Sequence, residues 1–324
     1  MVMPDKMAVL LNCGSRSDRA AQQQARIVEL LESSRIRADL LCSDGGRSIA
    51  ELARSAAHGP YEVLVAAGGD GTMNAVASAI AGTDRTMGVL PLGTVNHFAK
   101  HLGIPMDLEG AVRTLAEGRR VRIDVGEVNG RVFVNNSTIG IYPNIVRHRE
   151  VLRRSHGINK WLAFALATIT GVRRHDFVRL RLVMDEQDLR LKTPFVFIAN
   201  NDFKLGDLAI GPSGSLGSGE LGVCVAHPRS RLAMVRLLAS AAVGRIQRAQ
   251  DFTILRTKGL RVDTRHRSLH VATDGEIVKL TTPLRYRSCP AALAVIVPQP
   301  SERDAGPALQ EEQERAHDRA AKEG

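Results

Sequence analysis

The chain has 324 residues, 44% of them hydrophobic and 24% charged, an ordinary globular composition with room for about two domains. A formal net charge of +10 and a sequence pI near 9.9 favour anionic partners such as phosphates, nucleic acid or an anionic membrane surface. Aromatic residues are only 4%, too few stacking platforms for single-stranded nucleic acid, and no apolar run approaches the roughly 20 residues that cross a bilayer.

The apolar run Ala8 to Leu11 is too short for a signal-peptide core, so the expected location is cytoplasmic. Cys13, Cys42, Cys224 and Cys289 lack CxxC spacing and read as reduced core or loop thiols rather than as a disulfide or zinc framework. In chain order, strands are expected at Met7 to Asn12, Ala38 to Cys42, Val63 to Ala67 and Met87 to Leu90. Helices are expected at Arg19 to Glu32, Ile49 to Ala57, from Met73 onward, Phe98 to Leu102 and Leu108 to Glu117. This alternation argues for a parallel sheet covered on both faces, with ligands beyond the carboxyl ends of the strands.

Near Val121 the pattern changes. Arg122 to Val128, Asn129-Gly130 and Arg131 to Asn135 spell a hairpin with a two-residue turn. Further strands are expected at 178–184, 189–192, 195–199, 222–226, 259–264, 269–273 and 276–280, which makes a second, β-rich domain. Helices near Lys160 to Val172 and Arg231 to Gly244 interrupt it, and Ala292 to Val297 reads as a late strand returning to the first domain. The expected division is 1–127, with 290–299 returning to it, then 128–289, then a mobile charged tail over 300–324.

The densest chemical signal is YEVLVAAGGDGTMNAVASAIAG, Tyr61 to Gly82. A buried strand runs into Gly68-Gly69-Asp70-Gly71-Thr72 and then into a small-residue helix. A strand, glycine loop and helix start together present unpaired backbone N–H groups and a helix dipole, an arrangement suited to phosphate. Asp70 in that loop is better suited to a metal ion or its waters than to phosphate. Pro91-Leu92-Gly93-Thr94-Val95-Asn96-His97 is a second loop of the same kind, and Asn12 to Ser15 a third. The chain lacks GxxxxGK[ST] and GxGxxG, so neither a P-loop nor a Rossmann dinucleotide site is the natural reading. The basic stretch Arg147 to Arg181 flanks an apolar segment, Trp161 to Val172, suited either to covering the β-domain core or to resting on an anionic membrane.

GGDGTMNAVA, PLGTVNHFAKHLGIP, IDVGEVNGRVFVNNSTIG and the late TDGE (Thr273 to Glu276) occur in that order between about Met7 and Pro298. Together they resemble the diacylglycerol kinase catalytic family, in its branch of bacterial soluble lipid kinases. The resemblance implies an α/β N-terminal domain with a parallel sheet and a β-rich sandwich C-terminal domain, with the cleft between them. It implies a lipid kinase that uses ATP and Mg²⁺ to phosphorylate the hydroxyl of a lipid such as diacylglycerol or a sphingoid base. A lipid substrate, peripheral contact with an anionic membrane surface, a homodimer and no nucleic acid are the implied partners.

Carried over by motif, Asn12, Gly68, Gly69, Asp70, Gly71, Thr72, Asn74, Thr94 and Asn96 would hold the nucleotide. Asp70 and Asp124 would hold magnesium, Asp274 would take the proton of the attacking hydroxyl, and Glu276 would face the metal or nucleotide. On the residues alone, Asp274-Gly275 is equally a plain hairpin turn. Asn200-Asn201-Asp202 matches the family's asparagine at the cleft edge, or is a strand-end turn. Three positions depart from the family pattern. His97 stands where Asp is common, and Cys13 where Pro is common. Ser218-Gly219-Glu220 replaces an Asp-Gly loop, which weakens a second, structural metal site at Ser215, Ser218 and Glu220. The competing functional readings are an NAD kinase-like enzyme with a soluble substrate and a non-catalytic nucleotide- or lipid-binding protein.

Overall fold

The computed structural model describes residues 6–13, 18–43, 47–140, 178–185, 187–201, 217–226 and 252–299. The two helices expected at 160–172 and 231–244, Asp202, Ser215 and the tail from 300 lie outside them.

The first half alternates as its apolar periodicity requires: β1 (Met7–Asn12), α1 (Asp18–Ser33), β2 (Ala38–Ser43), α2 (Ile49–Ala57), β3 (Val63–Gly68), α3 (Asp70–Ile80), β4 (Thr86–Pro91), α4 (His97–His101) and α5 (Leu108–Glu117). The four strands pair in parallel in the order β2-β1-β3-β4. β3 and β4 are buried almost throughout, the mark of a sheet with helices on both faces. Their carboxyl ends share one edge, which gathers the loops after β1, β3 and β4.

The second half begins with β5 (Arg119–Val128), β6 (Arg131–Phe133) and β7 (Asn136–Gly140), followed by β8 (Val178–Met184), β9 (Gln187–Thr193), β10 (Phe195–Asn200) and β11 (Leu221–Ala226). β12 (Phe252–Thr257), β13 (Gly259–Asp263), β14 (Ser268–Thr273), β15 (Glu276–Thr281) and β16 (Leu284–Val297) complete it. β7, β10, β11, β12, β14 and β15 make an antiparallel six-stranded sheet. It packs on the β8-β9-β13 side of the larger sheet through a core that includes Phe133, Ile139, Leu182, Ile198, Val223, Val262, Val271 and Tyr286. The first half has its own core under β1, β3 and β4. The α/β-plus-sandwich architecture expected from the sequence is the one observed.

Several details differ from the sequence expectation. α3 starts at Asp70 rather than Met73, with Gly69 as its N-cap, so the glycine loop is already the helix's first turn. The second arm of the 122–135 hairpin breaks at Val134-Asn135 into β6 and β7. β12 and the first half of β16 escaped the reading. Arginines alternate along Leu284-Arg285-Tyr286-Arg287, and Pro290 follows, at a bulge between Cys289 and Leu293 that separates two regular pairings with β5. Cys13 and Cys42 are joined as a disulfide between the ends of β1 and β2, which corrects the expectation of four reduced thiols; Cys224 and Cys289 are free. The parallel register brings Leu11 opposite Cys42 and Asn12 opposite Ser43, so the two sulfurs meet although their residues are 29 apart in sequence. Among the described residues no helix is long and apolar enough to cross a membrane.

Two loops at the shared strand edge touch backbone to backbone. A Cβ built on Gly93 would lie 2.6 Å from Gly69 Cα and 2.6 Å from Asn96 Oδ1, with main chain on one side and a fixed amide on the other. Gly93→Ala is therefore expected to cost about 1–3 kcal/mol, the range of overpacking at a close contact, read as a lowered urea midpoint at unchanged m-value. An unchanged midpoint would show that the two loops can separate freely.

Candidate active site

The centre of the site is the carboxylate of Asp274. It sits on the tight turn between β14 and β15, with φ 46° at Asp274 and 84° at Gly275, the left-handed pair a two-residue hairpin turn demands. The turn reading is thus correct for the backbone. The side chain does something a plain turn does not require. Oδ2 accepts the N–H of Val134 at 2.8 Å, and Oδ1 accepts the N–H of Asn135 at 2.8 Å and of Asn136 at 3.0 Å. These three consecutive N–H groups are available because the β6–β7 strand breaks there. The Asp274 N–H in turn donates to Asn136 O at 2.9 Å, so the turn is clamped from both sides.

Burial pushes the Asp274 carboxyl up to about 6, and the negative charge of Asp70 adds to the rise, while the three N–H bonds oppose it. A carboxylate poised near neutral pH is what a general base requires. Asp70 belongs to the other half of the molecule, so its influence brings the two halves to one point.

Asp70 is the first residue of α3, and its Oδ1 accepts the N–H of Phe98 at 3.3 Å. It therefore laces the glycine loop to the start of α4, beside His97, whose Nδ1 is buried without a hydrogen-bond partner. The Asn96 amide closes its own loop: Oδ1 accepts the Gly93 N–H at 3.1 Å and Nδ2 donates to Gly93 O at 2.8 Å. Asn96 itself takes φ 52°, a conformation asparagine tolerates. A Cβ on Gly68 would overlap Thr72 Oγ1 at 2.3 Å, so Thr72 packs back on the loop. Gly71 has nothing within 4 Å of its missing Cβ, which leaves its main chain open to a ligand.

A cleft of about 770 Å³ lies between α3 and the β14–β15 turn, and Gly68, Gly69, Asp70, Thr72 and Asn96 are not among its lining residues. Gly71, Asn74 and Ser78 line it from α3, Asp274 and Glu276 from the β14–β15 turn, Gly130 and Arg131 from the β5–β6 turn, and Ser48 and Arg54 from α2. Glu276 is mostly exposed at the rim and pairs with Arg131 at 3.0 Å. Asn12 and Thr94 are exposed on the same strand edge and do not line the cleft. Arg131, Arg54 and the first turn of α2 were not among the residues singled out from the sequence. The Ser48–Glu51 capping box that starts α2 is legible, but its position across from α3 is a matter of tertiary packing.

Asp124 and Asn200 lie behind the cleft. Asp124 is buried, with Oδ1 accepting the Ala291 N–H at 2.8 Å and Oδ2 the Gly219 N–H at 2.7 Å. Asn200 Nδ2 donates to the carbonyls of Asp124, at 2.8 Å, and Val134, at 3.1 Å, and so supports the segment that holds Asp274. Ser218 Oγ reaches Asn201 Oδ1 and Glu220 O at 3.4 Å, long contacts within its own loop and its neighbour. Among the described residues no three His, Cys, Asp or Glu side chains are grouped to hold a metal ion.

Asp274 lines the cleft and Asp70, although not among the lining residues, is near enough to act on its charge; such a pair suits hydrated Mg²⁺, which typically keeps most of its waters and takes only one or two carboxylates. A cation there would offset the negative charge that Asp70 brings to Asp274. Asp124 fits less well as a direct ligand, since both its oxygens already accept backbone N–H groups. Asp124→Ala would remove the acceptor of two part-buried donors and is expected to lower stability by about 1–3 kcal/mol in urea unfolding. A loss below about 0.5 kcal/mol would mean that water replaces the carboxylate without penalty.

Residues 6–128 match the Diacylglycerol kinase catalytic domain family, and residues 144–297 match the YegS C-terminal NAD kinase beta sandwich-like domain. The diacylglycerol kinases of Staphylococcus aureus strains JH9 and Newman are each 46% identical over 85 residues, 26% of this chain. That match spans 27% of the length of those relatives. A diacylglycerol kinase crystal structure from Bacillus anthracis strain Sterne superposes with a TM-score of 0.67 at 18% identity, covering 92% of this chain and 98% of the other. A further solved structure from that organism reaches 0.70 with the same identity and coverage. With both halves matched in chain order and the fold shared along nearly the full length, the chain belongs to the diacylglycerol kinase catalytic family.

Proposed function

We propose that the protein is a lipid kinase that transfers the γ-phosphoryl group of ATP to the hydroxyl of a membrane lipid such as diacylglycerol or a sphingoid base. The observation that carries the reading is the Asp274 carboxylate, poised near neutral pH and held by three N–H groups, facing the glycine-loop helix across one cleft.

Nucleotide phosphates would lie on the first turn of α3, where Gly71 leaves the main chain open and the helix start presents N–H groups. Asn74, also on the cleft wall, would lie beside them. The acceptor hydroxyl enters from the Arg131–Glu276 rim. Oδ2 of Asp274 accepts only one N–H, so it retains a lone pair for the hydroxyl proton. The freed oxygen forms a bond to the γ-phosphorus, the bond from that phosphorus to the β-bridging oxygen breaks, and ADP leaves with the electron pair. Mg²⁺, when bound near Asp70, supplies charge neutralisation for the phosphates. This chain's part is to position the reactants and to hold one proton at Asp274. Arg131 and Arg54 add positive charge along the same cleft. Work at a bilayer implies a peripheral protein, and the cationic surface of the chain is consistent with that.

The direct test incubates purified protein with labelled ATP, Mg²⁺ and total bacterial lipid, then identifies labelled species by mass spectrometry, with NAD as a parallel acceptor. A labelled lipid supports the reading. Label on NAD alone would favour a soluble-substrate kinase, and no label on either a non-catalytic binding protein. Asp274→Asn is expected to lower kcat by at least about a thousandfold, the upper part of the range for a lost general base, with a folded circular dichroism spectrum retained. Gly71→Ala is expected to raise the KM for ATP about tenfold with an unchanged thermal midpoint, because the new methyl meets ligand and no protein atom.

Activity on a lipid acceptor should climb through about pH 6 as Asp274 loses its proton. The stability of the fold runs the other way. The folded pKa is raised above the usual carboxylate value, so the neutral acid stabilises the protein at low pH. That contribution is present below about pH 4 and is lost as pH rises through about 6. Chemical denaturation at pH 4, 5, 6 and 7 should therefore show the parent losing stability relative to Asp274→Asn, and a parallel pair of curves would contradict the buried-acid account.

A further inference from the structure

The outer face of the β9-β8-β13-β16 sheet carries a continuous cationic field that the catalytic reading does not use. Register fixes which residues share it. Arg179 lies opposite Lys192 and Arg181 opposite Arg190 on the β8–β9 pair. Asp263 lies opposite Arg181, and Arg261 opposite Arg285, across β13 to β16. Arg287 continues the row on β16, opposite Glu127 of β5. All of these cationic side chains are exposed, whereas the alternate residues Leu180, Leu182, Leu260, Val262, Leu284 and Tyr286 point into the sandwich core.

Arg265 joins Arg179, Arg181, Arg190 and Lys192 around a shallow groove of about 500 Å³ on the same face. Among the described residues of this face the carboxylates are Asp188, Asp263 and Glu127, and they pair with Arg181, Arg261 and Arg287. The cationic excess therefore survives the pairing. No aromatic side chain stands among these residues to stack on a base.

The face also has a direction. Asn129, at the tip of the β5–β6 turn, exchanges hydrogen bonds with the main chain of Arg285: its N–H donates to Arg285 O at 3.1 Å and its Oδ1 accepts the Arg285 N–H at 2.7 Å. The next residues of that turn, Gly130 and Arg131, line the catalytic cleft. The field thus runs from the mouth of the cleft to the β9 edge of the sheet.

We infer that this arginine-rich outer face of β8, β9, β13 and β16 is a docking surface for an anionic phospholipid bilayer, set so that the cleft mouth at Arg131 opens at the membrane surface. A flat lattice of cations on adjacent strands matches a plane of mobile anionic headgroups, which needs neither shape complementarity nor base readout. The inference rests on the lipid-kinase reading only for why the cleft mouth should lie there.

The test is sedimentation of the full chain with vesicles of phosphatidylcholine, with and without about 30 mol% phosphatidylglycerol. Binding is expected to the anionic vesicles alone and to be lost in about 0.5 M salt. R179Q/R190Q/R265Q, which touches no cleft residue, should bind about a hundredfold more weakly, near fivefold per cation removed, with an unchanged thermal midpoint. Should the triple variant fail to fold, R265Q alone should show the fivefold step.

Equal binding to both vesicle types, full binding by the substituted protein, or a preference for duplex DNA over anionic vesicles would each overturn the assignment. Vesicle binding without phosphorylated lipid would leave the docking surface standing and remove the kinase reading. Phosphorylation of a dispersed short-chain lipid without vesicle binding would do the reverse.

Discussion

Everything at the site depends on one carboxylate being held by three consecutive backbone N–H groups. A continuous hairpin arm would spend the N–H groups of Val134, Asn135 and Asn136 on ladder bonds, as strands ordinarily do. The break between β6 and β7 releases them toward Asp274. The arrangement then has two opposed electrostatic parts. The donors favour the charged form, while burial and the neighbouring Asp70 favour the neutral one, and the balance falls near neutral pH. Without the donors, burial and the neighbouring acid would push the carboxyl higher still.

Around this point the structure divides its labour cleanly. The α/β half contributes main chain: a helix start at Asp70-Gly71 and a second loop packed so closely on the first that only glycine fits at Gly93. The sandwich half contributes side chains: Asp274, Glu276 and Arg131 on two turns. Asp124 stands behind them with both carboxylate oxygens on main chain, and Asn200 with its amide nitrogen, while Asn200 Oδ1 is buried without a partner. That backing explains why buried polar residues persist beside an otherwise apolar sandwich. Left unpaired they would cost several kcal/mol between them.

Much of this was legible in the residues. The alternation in the first half, the hairpin at Asn129-Gly130 and the glycine loop all follow from periodicity and turn chemistry, which are local. What was not legible is mostly non-local. Nothing in GGDGT says that the side chain of Asp70 will cap α4, because that bond spans 28 residues and depends on how two loops pack. Nothing in IDVG says that Asp124 will tie down Ala291 and Gly219. Asn96 reads as a ligand-contacting residue by motif, yet its amide is committed to Gly93. Cys13 and Cys42 have no informative spacing, and only the parallel register of β1 and β2 shows that their sulfurs meet. β16 was half missed because arginine alternation and an internal proline mask a strand whose apolar partners lie in two different cores.

That strand has a consequence for how the molecule can be divided. Its first residues pair with β13 and its last with β4, while β5 accompanies it along most of its length. A fragment ending near residue 127 would keep the loops after β1, β3 and β4 but would leave the outer edge of β4 bare. An uncovered edge on a strand that is buried throughout in the intact protein invites pairing with another copy. The boundary that composition suggests is therefore a boundary of chemistry rather than of foldability, since one strand, β16, completes both halves of the molecule.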